Sequence, residues 1–229
     1  MVEITHADAS ANILRFCAEK RLTQGQWHEK GKDGRDIACL LGSIDPSVKM
    51  PEDCNGDLMP LWLAQLTVVL FDHLSVDNIY PIALRYGELV ARWHILTDTD
   101  WNSILIKFLV RCIDDAVEAA RPVSVGKPYW DAIETVCEQS KVAIKSGDKT
   151  AADAARAAAC AVADATCAAA CAAACATCAA ARAAARAAAC AARAAAGAPG
   201  AAIYAAGARV AVYDKLFTFV LDQIEGAIH

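Results

Sequence analysis

The stretch that decides the fold class is residues 150–197, TAADAARAAACAVADATCAAACAAACATCAAARAAARAAACAARAAAG. Residues 151–196 hold 31 alanines in 46 positions. Alanine has the highest helix propensity, and no glycine or proline interrupts the run. Thr150-Ala-Ala-Asp153 fits a capping box at its start, and Gly197-Ala-Pro199-Gly200 is a stop signal at its end. The other side chains keep step with a helix. Arg156, Cys160, Asp164, Cys167, Cys171, Cys175, Cys178, Arg182, Arg186, Cys190 and Arg193 recur every three or four residues. From Arg156 to Arg193 there are 37 residues in ten steps, or 3.7 per step, close to the helical period. They form one stripe, and the rest of the circumference is nearly bare methyl, which lets neighbouring helices approach closely. One helix over 148–196 is roughly 73 Å long at about 1.5 Å per residue. A compact globule of this chain length is only about 45 Å across. Either the molecule is elongated or the helix bends, near Thr166 or Thr177.

Beyond Gly200 a last helix runs to the C-terminus, with Ile203, Gly207, Val210, Tyr213, Phe217, Val220, Ile224 and Ile228 at helical spacing. It is expected to pair antiparallel with the alanine helix, Gly207 allowing the close approach.

Before the alanine run the signals are also helical. Asp8-Ala-Ser10 reads as the cap of a helix to about Leu22, with Ile13, Leu14, Phe16 and Cys17 on one face. Gly25 to Gly34 is polar and reads as a loop, with a turn at Asp33-Gly34, followed by a short apolar segment from Ile37 to Ile44. Pro46, Pro51, Asn55-Gly56 and Pro60 mark a second irregular stretch. Leu61 to Leu74 and Tyr80 to Leu96 read as buried helices, the second with Ile82, Tyr86, Leu89, Val90 and Trp93 inward. Asp98-Thr-Asp100 caps the next, with Trp101, Leu105, Phe108 and Cys112 inward, Lys107, Arg111, Asp114, Asp115 and Glu118 outward, and Pro122 at its end. Trp130, Ile133, Val136, Cys137 and Val142 define a helix from about Pro128 to Lys145. All five tryptophans precede residue 131. The expected fold is therefore all-α. Residues 1–146 form a helical array with a Trp-rich core, and residues 147–229 form a hairpin-like region of the long alanine-rich helix and the C-terminal helix.

The net charge of −5 argues against general nucleic-acid or membrane-surface binding. Residues 1–146 carry 21 Asp/Glu against 15 Lys/Arg, and residues 147–229 carry 6 against 7. The N-terminus lacks a basic segment followed by an apolar one, so no secretory signal is expected. The run Leu61 to Phe71 is too short to span a bilayer, and the alanine helix carries too many charges. Eleven cysteines without an export signal imply free thiols in a reducing, cytoplasmic setting.

Four candidate chemistries emerge. Cys167, Cys171, Cys175 and Cys178 share one helical face, and thiolates on neighbouring turns can hold a soft ion such as Cu(I). The arrangement resembles the cysteine-lined bundles of bacterial copper storage proteins, although the last helix supplies no facing thiol. Cysteine serves equally as a small hydrophobe among alanines. Arg182, Arg186 and Arg193 make a basic stripe that can meet an acidic partner or stay solvated. Thr166 and Thr177, eleven residues apart, are similar to the register of helical ice-binding proteins, but only this pair keeps it. His28 can meet Cys39 or Cys54 in an enzyme site within the irregular Gly25–Asp57 region. His6, His28, His73, His94 and His229 show no paired metal spacing, and no resident cofactor is implied.

The pattern from Tyr129-Trp-Asp-Ala-Ile133 through Gly147-Asp-Lys-Thr150 and the Ala-Ala-Arg repeats to Arg209 resembles the alanine-rich helical proteins of phages and prophages. It is similar also to related immunity proteins of polymorphic toxin systems. The likeness spans about residues 127–215. The chain departs from the immunity pattern in lacking its histidines and in its longer alanine run, so no functional residue carries over. The resemblance implies a non-enzymatic binder that neutralises a host or toxin protein. Self-association into a homo-oligomer is left open.

Overall fold

The computed structural model describes residues 4–124, 126, 130–146 and 209–229. The alanine-rich stretch, its pairing with the last helix and the cysteine and arginine stripes all lie outside the described residues. Those residues form seven α-helices and one two-stranded sheet, an all-α fold. The helices are α1 (His6–Ala18), α2 (Leu40–Ile44), α3 (Leu61–Phe71), α4 (Ile79–Val90), α5 (Asp98–Ser124), α6 (Trp130–Ser146) and α7 (Arg209–Ile228). By contact density the chain forms two units, Met1–Ile104 with Ala208–His229, and Leu105–Gly207. The second unit begins within α5, and α7 is grouped with the first unit because its inner face meets α3 and α4.

Two helices of the first unit start from the same device. Thr5 caps α1 through a reciprocal box with Asp8, in which the Asp8 N–H donates to Thr5 Oγ1 at 3.2 Å and the Thr5 N–H to Asp8 Oδ2 at 3.1 Å. Thr97 and Asp100 repeat it ahead of α5, at 3.3 and 2.9 Å. Both caps lie upstream of the expected Asp8-Ala-Ser10 and Asp98-Thr-Asp100. A threonine three residues before an aspartate satisfies two orphan N–H groups at once, which a lone aspartate cannot. At its other end α1 stops at Ala18, short of Leu22, because Lys20 adopts φ 52°. The Lys20 and Arg21 N–H groups then close onto the carbonyls of Cys17 and Phe16 at 3.1 and 2.9 Å.

The polar stretch after α1 is not all loop. His28–Lys30 (β1) and Asp36–Ala38 (β2) pair antiparallel, His28 opposite Ala38, around a turn at Gly34, where φ is +76°. Thr23 N–H donates to the Ala38 carbonyl at 2.9 Å and ties the hairpin back to the end of α1. Gln24 Nε2 reaches the carbonyls of Phe71 and Leu74 at 2.7 and 3.1 Å, and so caps the end of α3.

The core of this unit lies between α1, α3, α4 and α7. Gly87 lets α4 approach α1; a Cβ there would sit 2.9 Å from Ile13 Cγ2. Tyr86 and Phe217 lie edge to face at 6.0 Å, Tyr86 and Trp93 at 5.0 Å, and Trp93 and Trp101 at 5.4 Å. The buried Tyr86 hydroxyl stands 3.3 Å from Thr67 Oγ1 and 3.7 Å from Met59 Sδ. Asp214 of α7 accepts from Ser75 N, Ser75 Oγ and Asn78 Nδ2 at 3.0, 2.8 and 2.8 Å. Arg85 of α4 pairs with Asp222 at 2.7 Å and also with Glu225. The helix expected over Tyr80 to Leu96 ends at Val90, and a 3₁₀ turn (Trp93–Ile95) carries Trp93 into the core.

In the second unit Ile113 of α5 packs with Trp130, Ile133, Cys137 and Ile144 of α6. Arg121–Glu134 at 3.0 Å and Lys141–Asp114 at 2.8 Å link the two helices outside this core. Helix α5 continues past Pro122 to Ser124. Val142 is 67% exposed rather than buried. It lies nine residues from Ile133, about two and a half turns, and therefore on the opposite side.

Candidate functional site

The irregular region between α1 and α3 brings Arg21, His28, Lys30 and Asp36 together beside the hairpin. Arg21 is buried at the end of α1, its guanidinium carbon 4.8 Å above the Phe16 ring. Its Nε donates to the Asp36 carbonyl, it pairs with Glu19, and it lies 3.8 Å from the Asp36 carboxylate. Lys30 meets that carboxylate at 2.7 Å and His28 Nε2 at 4.0 Å. Lys30, with smaller contributions from His28 and Arg21, holds the Asp36 carboxyl below its ordinary range. The cluster fastens the hairpin to the end of α1, and each cation in it has a carboxylate partner.

His28 and Cys39 are engaged separately. His28 stacks edge-on against Phe16 at 6.3 Å. Cys39 Sγ caps α2 by accepting from Gly42 N–H at 3.4 Å. Among the described residues no hydrogen bond joins His28 to either thiol. Burial pushes the Cys39 thiol up, and pushes Cys54 up to about 12. Thiols in that state are weak nucleophiles at neutral pH. Cys17 and Cys137 are pushed up to about 11, and Cys112 to about 12, by the same burial. Among the described residues no three His, Cys, Asp or Glu side chains come together to hold a metal, and no helix is long and apolar enough to cross a membrane.

What the first unit does present to solvent is carboxylate beside apolar surface. Val76, 78% exposed, adjoins exposed Asp77. On the outer side of α4, Leu84 and Glu88 are both exposed, one turn apart. Near the start of α3, Met50 and Leu61 are exposed, and Glu52 accepts from Gln65 at 3.0 Å. Leu84 falls outside the inward set Ile82, Tyr86 and Leu89, and that phase error is the signal in the sequence for an outward apolar residue. Cys167, Cys171, Cys175, Cys178, Arg182, Arg186 and Arg193 lie outside the described residues.

The described chain is thus an all-α protein with an acidic, partly apolar surface. Comparison with protein-family models, with curated proteins and with solved structures gives no match.

Proposed function

We propose that the protein is a non-enzymatic inhibitor that binds and neutralises another protein in the cytoplasm. By its resemblance it would be phage- or prophage-encoded and of the anti-defence or toxin-immunity type. The observation that carries this reading is the carboxylate surplus of residues 1–146, 21 acidic against 15 basic side chains, set beside exposed Val76, Leu84, Met50 and Leu61. Acidic residues around apolar anchors suit a basic, apolar-centred host or toxin surface, the charges guiding encounter and the anchors supplying affinity. Affinity capture followed by reconstitution from purified components tests it. The expected result is a complex of fixed stoichiometry, weakened by salt and by combining Asp77→Lys with Glu88→Lys. Failure to reconstitute any such complex, or a complex indifferent to both changes, would overturn it.

A second reading rests on the thiol spacing alone: Cys167, Cys171, Cys175 and Cys178 as a soft-metal, Cu(I), site on one helical face. Anaerobic Cu(I) titration decides it. Less than a full equivalent of tightly held copper removes the reading and leaves the inhibitor proposal untouched.

A further inference from the structure

The histidines that look unrelated along the chain are not all apart in the fold. His6 opens α1 and His94 sits in the 3₁₀ turn after α4, and their ring centroids lie 5.8 Å apart. His94 already has one ring nitrogen occupied, its Nδ1 standing 3.1 Å from the Ala91 carbonyl. A carbonyl oxygen only accepts, so in the neutral tautomer this contact selects, Nδ1 carries the proton and Nε2 keeps its lone pair. Pinning the tautomer through a backbone carbonyl is how proteins orient metal-binding imidazoles.

We propose that His6 and His94 form a two-imidazole site for a borderline divalent cation of the zinc class. The spacing suits it. A ligand nitrogen about 2.0–2.1 Å from zinc puts each ring centroid about 3 Å from the ion, so two such ligands have centroids about 5–6 Å apart. An all-imidazole donor pair favours zinc, copper or nickel over magnesium or calcium. Water fills the remaining coordination positions, which makes the site exchangeable and weaker than a closed structural one. Bound there, the ion ties the first turn of α1 to the end of α4, contacts that belong to one unit.

The test is zinc titration of the reduced full-length protein, followed by the nitrogen resonances of its histidine rings. This readout is blind to uptake by thiols. The His6 and His94 signals are expected to move together, with His28 and His73 unmoved, and magnesium is expected to move none. In His94→Gln the His6 response should disappear, and in His6→Gln the His94 response should disappear. Both variants must show unshifted core amide spectra, which separates loss of a ligand from loss of the fold; His73→Gln is the neutral control. The proposal is overturned if zinc leaves both rings unmoved, or if either ring responds unchanged after the other is replaced.

Discussion

At Lys20 the backbone adopts a left-handed conformation, with φ 52°, at the position where a helix ending of this type favours glycine. A side chain there costs about 1–2 kcal/mol, and glycine's extra freedom in the unfolded chain offsets about 0.5–1 kcal/mol of the relief. Lys20→Gly should therefore raise the urea midpoint, by about 0.5–1 kcal/mol in stability; a lowered midpoint would show that the lysine side chain contributes more than its backbone strain costs. Gly42 poses the opposite case. Its missing Cβ would fall inside the contact distance of the Trp27 carbonyl, a backbone atom that cannot swing away. Gly42→Ala should lose about 1–3 kcal/mol as α2 is pushed off the hairpin. Gly226 in α7 has open space around its Cβ position, so Gly226→Ala should gain about 0.5–1 kcal/mol in the same assay. None of the three signs is legible from sequence. Each depends on a φ angle or on a neighbour distant along the chain.

The helices themselves were largely legible, because burial has to follow their period. Ile82, Tyr86, Leu89, Val90 and Trp93 are all buried, as are Tyr213, Phe217, Val220, Ile224 and Ile228. Periodicity failed where the element was too short to show a period. The hairpin strands are three residues each and read His28-Glu-Lys30 and Asp36-Ile-Ala38, with too little apolar alternation to stand out. It was equally silent on partners. Nothing local pairs His6 with His94, and nothing local says that α7 would be anchored by Asp214 to Ser75 and Asn78. That anchor is testable. Asp214→Ala removes one acceptor serving three donors and should cost about 1–3 kcal/mol, with faster hydrogen exchange at the Ser75 amide. An unchanged exchange rate there would mean that water replaces the carboxylate without loss. The two capping boxes make a second element-scale prediction. Hydrogen bonds from Thr5 and Thr97 hold the Asp8 and Asp100 carboxyls below their ordinary range. Thr5→Ala and Thr97→Ala should each return the partner aspartate to near 3.8 by NMR titration and cost about 1 kcal/mol of helix stability.

Among the described residues these local shifts combine into a stability profile with two acid steps and one alkaline limit. His6 is held below its ordinary 6.5 in the folded state, chiefly by burial. Its contribution is present above 6.5 and is lost as pH falls through its lowered folded value. Asp8, Glu19, Asp33, Asp36, Asp100 and Glu225 are likewise held below ordinary values of 3.8 or 4.5 by hydrogen bonds from Thr5, Arg21, Arg35, Lys30, Thr97 and Arg85. Their contributions are present above about pH 4.5 and disappear as the pH drops further. The described thiols move the other way. Cys17, Cys54, Cys112 and Cys137 rise from 9.0 to about 11 or 12, so unfolding releases their protons first. Their contribution is present below pH 9 and is lost as pH climbs through the folded values. Urea midpoints measured across pH should therefore be flat between about 6.5 and 9, fall in two stages on acidification, and fall again above 9. His6→Gln should erase the first acid stage and leave the second and the alkaline limb in place. A midpoint that rises between pH 9 and 11 would mean that the buried thiols ionise more readily in the folded chain than in the unfolded one, and the packing around Cys54 and Cys112 would then have to be far wetter than their burial implies.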